Sequence, residues 1–171
     1  MSSTTTGRIF SIQASNGGVP KLPIREGLVT IHGLVGDRQR NRRYHGGPER
    51  ALCLYALEAI LALQAEGHPI YPGSVGENVT LAGLDWAALK PGDCLALGDS
   101  VVAQITAYTV PCQNIRESFL DGQFTRISQK LHPGMSRVYA RVLQEGAIRV
   151  GQPVTIVPAP TTQPIDETLR Y

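Results

Sequence analysis

Cys112 stands in the run Thr109-Val110-Pro111-Cys112, just beyond a stretch that reads as a β-strand. Proline fixes the backbone in front of it, so the thiol is held at a defined place. With access and a positive environment, a thiolate there can act as nucleophile, as persulfide carrier or as ligand of a soft metal. The plain alternative is a buried cysteine that packs as a small hydrophobe. That alternative is the expectation for Cys53, in an apolar helix face, and for Cys94, in a strand.

Three further constellations carry polar chemistry. Residues 36–50 (GDRQRNRRYHGGPER) hold Arg38, several more arginines and His45, followed by Gly46 and Gly47, before a helix start. Forked guanidinium donors and backbone N–H groups suit an anion, and the glycines let the chain approach one closely. The competing reading is a solvated basic loop. Residues 73–80 (GSVGENVT) set Glu77, Asn78 and Thr80 among glycines. Glu77 and Asn78 offer acceptors and donors for the polar edge of a heterocycle, or the run is a turn entering a strand. In residues 137–142 (RVYARV), alternation puts Arg137, Tyr139 and Arg141 on one strand face, lining either an interior ligand site or solvent.

The elements that must position these residues are mostly short strands. Residues 7–14 and 28–32 read as strands, the first stopped by Asn16-Gly17-Gly18. Pro48 opens a helix expected over 49–66, apolar almost all round and ended by Gly67 and Pro69. Residues 85–89 make a helical turn. Residues 93–97 and 100–109 form a hairpin about Gly98-Asp99, and Val101, Ala103, Ile105 and Ala107 alternate with polar or bulkier neighbours. Short helical segments fit 113–131, and strands fit 137–143 and 154–157. Together these predict a mainly β (α+β), twisted, barrel-like domain with one long helix and a few short ones.

Composition narrows the class. The chain has 171 residues, enough for one domain that buries on the order of 70% of its unfolded surface without disulfides. Its 18 glycines and 12 prolines favour many turns over a helical bundle. A loose arm is expected at 1–6, one domain at 7–157 and a tail at 158–171. A net charge of +2 is too small to argue for nucleic acid, and no apolar run approaches the roughly 18 residues of a membrane span. Three cysteines without a CxxC pair exclude a disulfide framework or zinc knuckle as the expectation and favour a reducing, cytoplasmic setting.

The motifs in order resemble the MOSC family, named for the C-terminal domain of molybdenum cofactor sulfurases, in its short bacterial, YiiM-like branch. The resemblance rests on residues 33–37 (GLVGD), 45–51 (HGGPERA), 72–80 (PGSVGENVT), 91–93 (PGD), Pro111-Cys112 and 139–143 (YARVL), and it runs from about 27 to 157. HGG and GEN are weak alone; their order with the PC pair is specific. Many members carry Arg three residues before the cysteine, where this chain has Thr109. The common Gly-Trp-Tyr reads Arg137-Val138-Tyr139 here.

The resemblance implies a twisted β-barrel and a functional Cys112. It implies that Cys112 ligates molybdenum in the pterin cofactor (molybdopterin), with Arg38, His45, Gly46, Gly47, Glu77, Asn78, Thr80 and Arg141 holding that cofactor. Members of this kind reduce N-hydroxylated compounds, including hydroxylamino purines. No flavin, haem or iron–sulfur motif occurs, so a separate redox partner must deliver the electrons to a small-molecule substrate. The alternative is a sulfur carrier with a persulfide on Cys112, loaded by a separate cysteine desulfurase because the chain has no pyridoxal phosphate domain. Whether the chain forms a homodimer stays open.

Overall fold

The structure, a computed structural model, describes residues 5–38 and 47–161. Eleven strands are present among them: β1 (Thr6–Ala14), β2 (Leu22–Ile24), β3 (Glu26–Thr30), β4 (Gly33–Leu34), β5 (Leu52–Ala56), β6 (Val79–Ala82), β7 (Cys94–Leu97), β8 (Val101–Tyr108), β9 (Val138–Gln144), β10 (Gly146–Arg149) and β11 (Pro153–Val157). The helix α1 spans Leu57–Ala65. Short 3-10 turns decorate the rest, including Trp86–Ala88, Gln113–Ser118 and Phe124–Ile127.

Seven strands close into a barrel in the order β1-β11-β7-β8-β9-β5-β6, with β6 returning to β1. Closure removes sheet edges that would otherwise invite pairing with another chain. The closing contact joins β1 to β11 in antiparallel register, Thr6 opposite Thr155 and Arg8 opposite Pro153. A small sheet of β10, β3 and β4 lies alongside. The expected mainly β, barrel-like fold is the one observed.

Alternation in β8 works as its sequence predicts: Val101, Ala103 and Ile105 are buried, while Val102, Gln104 and Thr106 are half-buried. β8 pairs with β7, Leu97 opposite Val101, so the connecting loop is Gly98-Asp99-Ser100. It is one residue longer than the two-residue turn its Gly-Asp pair predicts, and Gly98 takes the left-handed conformation at φ 67°.

The long helix expected over 49–66 is corrected by the structure. Pro48–Arg50 is one 3-10 turn, Leu52–Ala56 is strand β5, and α1 begins only at Leu57. All five residues of β5 are buried. The strand lies between β9, antiparallel, and β6, parallel. A strand covered on both faces needs a continuous apolar run, and that run looks the same as one side of a buried helix. The helix is also less buried than expected: Ala59, Ile60 and Leu63 face the core, while Leu61 is 51% exposed. Gly67, at φ 97°, ends it as predicted, its N–H donating to the Gln64 carbonyl.

Ile9, Ile12, Leu52, Leu54, Ile60, Leu81 and Ile105 are all essentially inaccessible and form the centre of the core. A cavity left there by truncation cannot fill by local collapse in a closed barrel. Leu54→Ala should therefore lower unfolding stability by about 2–5 kcal/mol, measured by urea denaturation at unchanged slope.

Candidate functional site

β8 ends at Tyr108, and the Thr109 N–H makes one more bond across to the Arg137 carbonyl at 2.9 Å. The chain then leaves the barrel through Val110-Pro111. Cys112 is extended (φ −139°, ψ 173°), and its carbonyl accepts the Ile115 N–H of the following 3-10 turn at 3.2 Å. Its thiol is partly accessible, whereas Cys53 and Cys94 are buried.

Cys112 opens on a cavity of about 410 Å³. That volume lies in the ~300–1,000 Å³ range of small-molecule sites. One side comes from the turn after β1, with Gly18, Val19 and Lys21, and from Arg38. The opposite side comes from Cys53 of β5 and from Arg137 and Tyr139 at the start of β9. Arg38 is exposed, and its N–H is tied to the Ser15 carbonyl at 2.7 Å.

A buried polar chain lies behind the wall. Lys21 Nζ donates to Asp37 Oδ1 at 2.6 Å. The same oxygen accepts the Ser15 N–H at 2.9 Å, and Asp37 Oδ2 accepts Asn78 Nδ2 at 2.9 Å. Asn78 Oδ1 in turn accepts the Cys53 N–H at 2.9 Å, and its N–H donates to the Cys53 carbonyl at 2.7 Å. Glu77 Oε1 accepts the Gly73 N–H at 2.6 Å and the Thr80 hydroxyl at 3.2 Å. Gln13 Nε2 donates to Thr80 Oγ1 at 3.1 Å. Burial pushes the Glu77 carboxyl above its ordinary range, opposed by the Gly73 N–H and by Arg137.

The structure thus sorts the residues singled out in the sequence. Cys112 and Arg38 line the cavity. Glu77, Asn78 and Thr80 do not; their side chains are committed to bracing the loop and strand behind it. Arg141 lies farther along β9, paired in register with Gln104, and its Nη2 meets Glu49 Oε2 at 3.1 Å near the surface. Gly47, at φ 82°, precedes the 3-10 turn and is not a lining residue. His45 and Gly46 lie outside the described residues.

Sequence reasoning passed over Lys21 and Cys53. Lys21 follows the Gly17-Gly18 turn and Pro20, a signal that marked only a strand end. Cys53 was placed on a helix; in β5 it faces the cavity, its Sγ 4.0 Å from Thr109 Oγ1. Burial raises its pKa, with Arg137 acting in the opposite sense. Arg137 and Tyr139 do share a strand face, and that face is the cavity wall. Arg137 is 6% exposed; its Nη1 donates to the Val75 carbonyl at 2.5 Å. Its Nε has no partner among the described residues. Tyr139 carries the Arg50 guanidinium 5.2 Å above its ring, and burial pushes its phenol up to about 12.

The model of the MOSC domain matches residues 41–155, two thirds of the chain and most of the barrel. The chain belongs to the MOSC domain family. Within that family it is 29% identical over 136 residues to the uncharacterized protein YflK of Bacillus subtilis, covering 78% of this chain and 60% of that one. It is 27% identical over 134 residues to protein YiiM of Escherichia coli, covering 76% of this chain and 58% of that one. The MOSC chain thus spans only about 60% of the length of these curated relatives. The crystal structure of YiiM from Geobacillus stearothermophilus superposes with a TM-score of 0.69 at 26% identity, over 89% of this chain and 75% of that one. The E. coli YiiM structure shares the fold at a TM-score of 0.65 and 22% identity, over 93% and 72%. These likenesses make the chain a short, YiiM-like MOSC protein. Among the described residues no helix is long and apolar enough to cross a membrane.

Two tests follow from the site's burial pattern. Under native conditions at neutral pH, iodoacetamide should modify Cys112 roughly tenfold or more faster than Cys53 or Cys94, because those two are buried and burial raises their thiol pKa. Peptide mass mapping over time reads this directly, and equal labelling of Cys53 would contradict its placement. For Glu77, a folded pKa above the ordinary 4.5 means the folded state holds its proton longer than the unfolded chain. That carboxyl costs stability as pH rises above about 4.5, up to the folded pKa. Glu77→Gln should gain stability relative to the parent as pH is raised through this window, seen in melts at several pH values.

Proposed function

We propose that this MOSC protein binds the molybdenum cofactor through Cys112 and reduces N-hydroxylated compounds, such as hydroxylamino purines, with electrons from a separate reductase. The observation that carries this reading is a partly exposed thiol opening on a cavity that also contains a buried arginine with a spare donor. The residues present fit such a group. Among the described residues, no cluster of three or more His, Cys, Asp or Glu stands ready to hold a metal unaided. A metal at Cys112 therefore needs donors from a non-protein ligand, and a thiolate is a suitable protein donor for a soft or high-valent centre. An anionic, phosphate-bearing ligand suits the cationic wall.

When bound, the cofactor supplies two-electron redox chemistry at molybdenum. The chain supplies the rest. Cys112 would hold the metal, its own place being set by Pro111 before it and the 3-10 turn after it. The tie between Asn78 and the Cys53 backbone holds the floor of the cavity rigid. Tyr139, whose phenol keeps its proton to about pH 12, stands in the wall as a hydrogen-bond donor at neutral pH. In the overall reaction the substrate's N–O bond breaks, two electrons and two protons are taken up, and oxygen leaves as water.

The test is elemental analysis of protein purified without air from a cofactor-producing host, beside Cys112→Ser. The parent should carry near-stoichiometric molybdenum and turn over a hydroxylamino purine with a reductase present; the variant should lose both while keeping its melting profile. No molybdenum in the parent, together with a mass increase of one sulfur on Cys112, would replace this reading with sulfur carriage.

A further inference from the structure

Lys21, Arg137 and Arg141 differ in how their charge is met. Lys21 is neutralised by Asp37 at 2.6 Å, and Arg141 meets Glu49 at 3.1 Å. Arg137 is the most deeply buried of the three, yet no carboxylate lies within 4 Å of it among the described residues. Burying a guanidinium without a counter-charge costs several kcal/mol, and such groups are paired in most proteins. Glu77 is the nearest candidate to compensate it, but Glu77 is held by Gly73 and Thr80 and is not part of the cavity wall.

The guanidinium is also half-used. Nη1 is spent on the Val75 carbonyl, which fixes the plane of the group. Nε is without a partner. Nε and the adjacent Nη2 form the side-on edge that takes two oxygens of a phosphate or carboxylate in parallel. This edge belongs to a residue that lines the cavity alongside Cys112.

We propose that Arg137 is the anion-gripping residue of this cavity and takes a phosphate-type oxyanion along its Nε edge. The proposal rests on the cofactor reading only for the source of that phosphate. The Thr109 N–H, at the end of β8, bonds to the Arg137 carbonyl at 2.9 Å and so fixes the backbone from which the arginine side chain enters the cavity wall. Val75 becomes part of the same device, since its carbonyl occupies Nη1 and leaves the Nε edge uncommitted.

Nuclear magnetic resonance of the arginine Nε–H groups, with inorganic phosphate as probe at low ionic strength, tests this on the full chain. The Arg137 signal should move and become protected on titration. Arg137→Met, which keeps the apolar stem, should weaken phosphate binding by about tenfold or more, and Arg137→Lys should retain part of it, both with parent-like circular dichroism. An Nε–H signal that phosphate leaves unmoved would overturn the proposal without recourse to any variant; so would equal phosphate affinity in a folded Arg137→Met. In molybdenum-loaded protein, loss of phosphate uptake identifies the ligand's own phosphate as the occupant, while retained uptake at Arg137 identifies a free anion. A chain that takes up phosphate at Arg137 but never molybdenum keeps this inference and removes the cofactor reading.

Discussion

Asp37 is the group on which the site's geometry depends. Its two oxygens take hydrogen bonds from Ser15 and Lys21 in the turn after β1 and from Asn78, more than fifty residues beyond that turn in sequence. Asn78 passes the connection to the backbone of β5 through Cys53. A carboxylate buried in this way is tolerated because both of its oxygens have donors and one of them is a cation. Its effect is geometric: the turn after β1, the loop before the 3-10 turn and the central strand cannot shift independently. The cavity therefore has a fixed back wall.

That arrangement also divides the charges. Lys21 sits in the wall but is quenched by its partner, so it contributes shape and a donor more than net field. Arg137 is anchored by a neutral carbonyl, which orients it without cancelling its charge. Two basic residues in one cavity thus do different work, decided by whether the anchor is a carboxylate or a carbonyl.

Much of this was legible in the residues. Alternation in β8, the turn at Gly98 and the PC pair placed the strand and Cys112 correctly, because each signal is local. The family motifs carried the barrel. What was not legible depends on contacts between distant segments. β5 was read as helix because burial on both faces erases the period that separates strand from helix. The donors and acceptors of Glu77 and Asn78 are visible in sequence, but the partners that engage them and Thr80, among them Gln13, Gly73 and Asp37, arrive only with the fold. Lys21 and Cys53 were passed over for the converse reason: an isolated lysine and an apolar-flanked cysteine become wall residues only when β6 takes β1 on one side and β5 on the other.

The pairing of β1 with β11 has a consequence for biosynthesis. β1 is made well before its partner β11 and has two flanks: one is met by β6, and the segment Thr6 to Arg8 on the other waits for Pro153 to Thr155. Until β11 emerges, the barrel is an open sheet with β1 and β7 both presenting unpaired backbone. The strands from β1 to β10 must therefore stay shielded until β11 is made, and nascent chains stalled before it are the species that chaperones should hold.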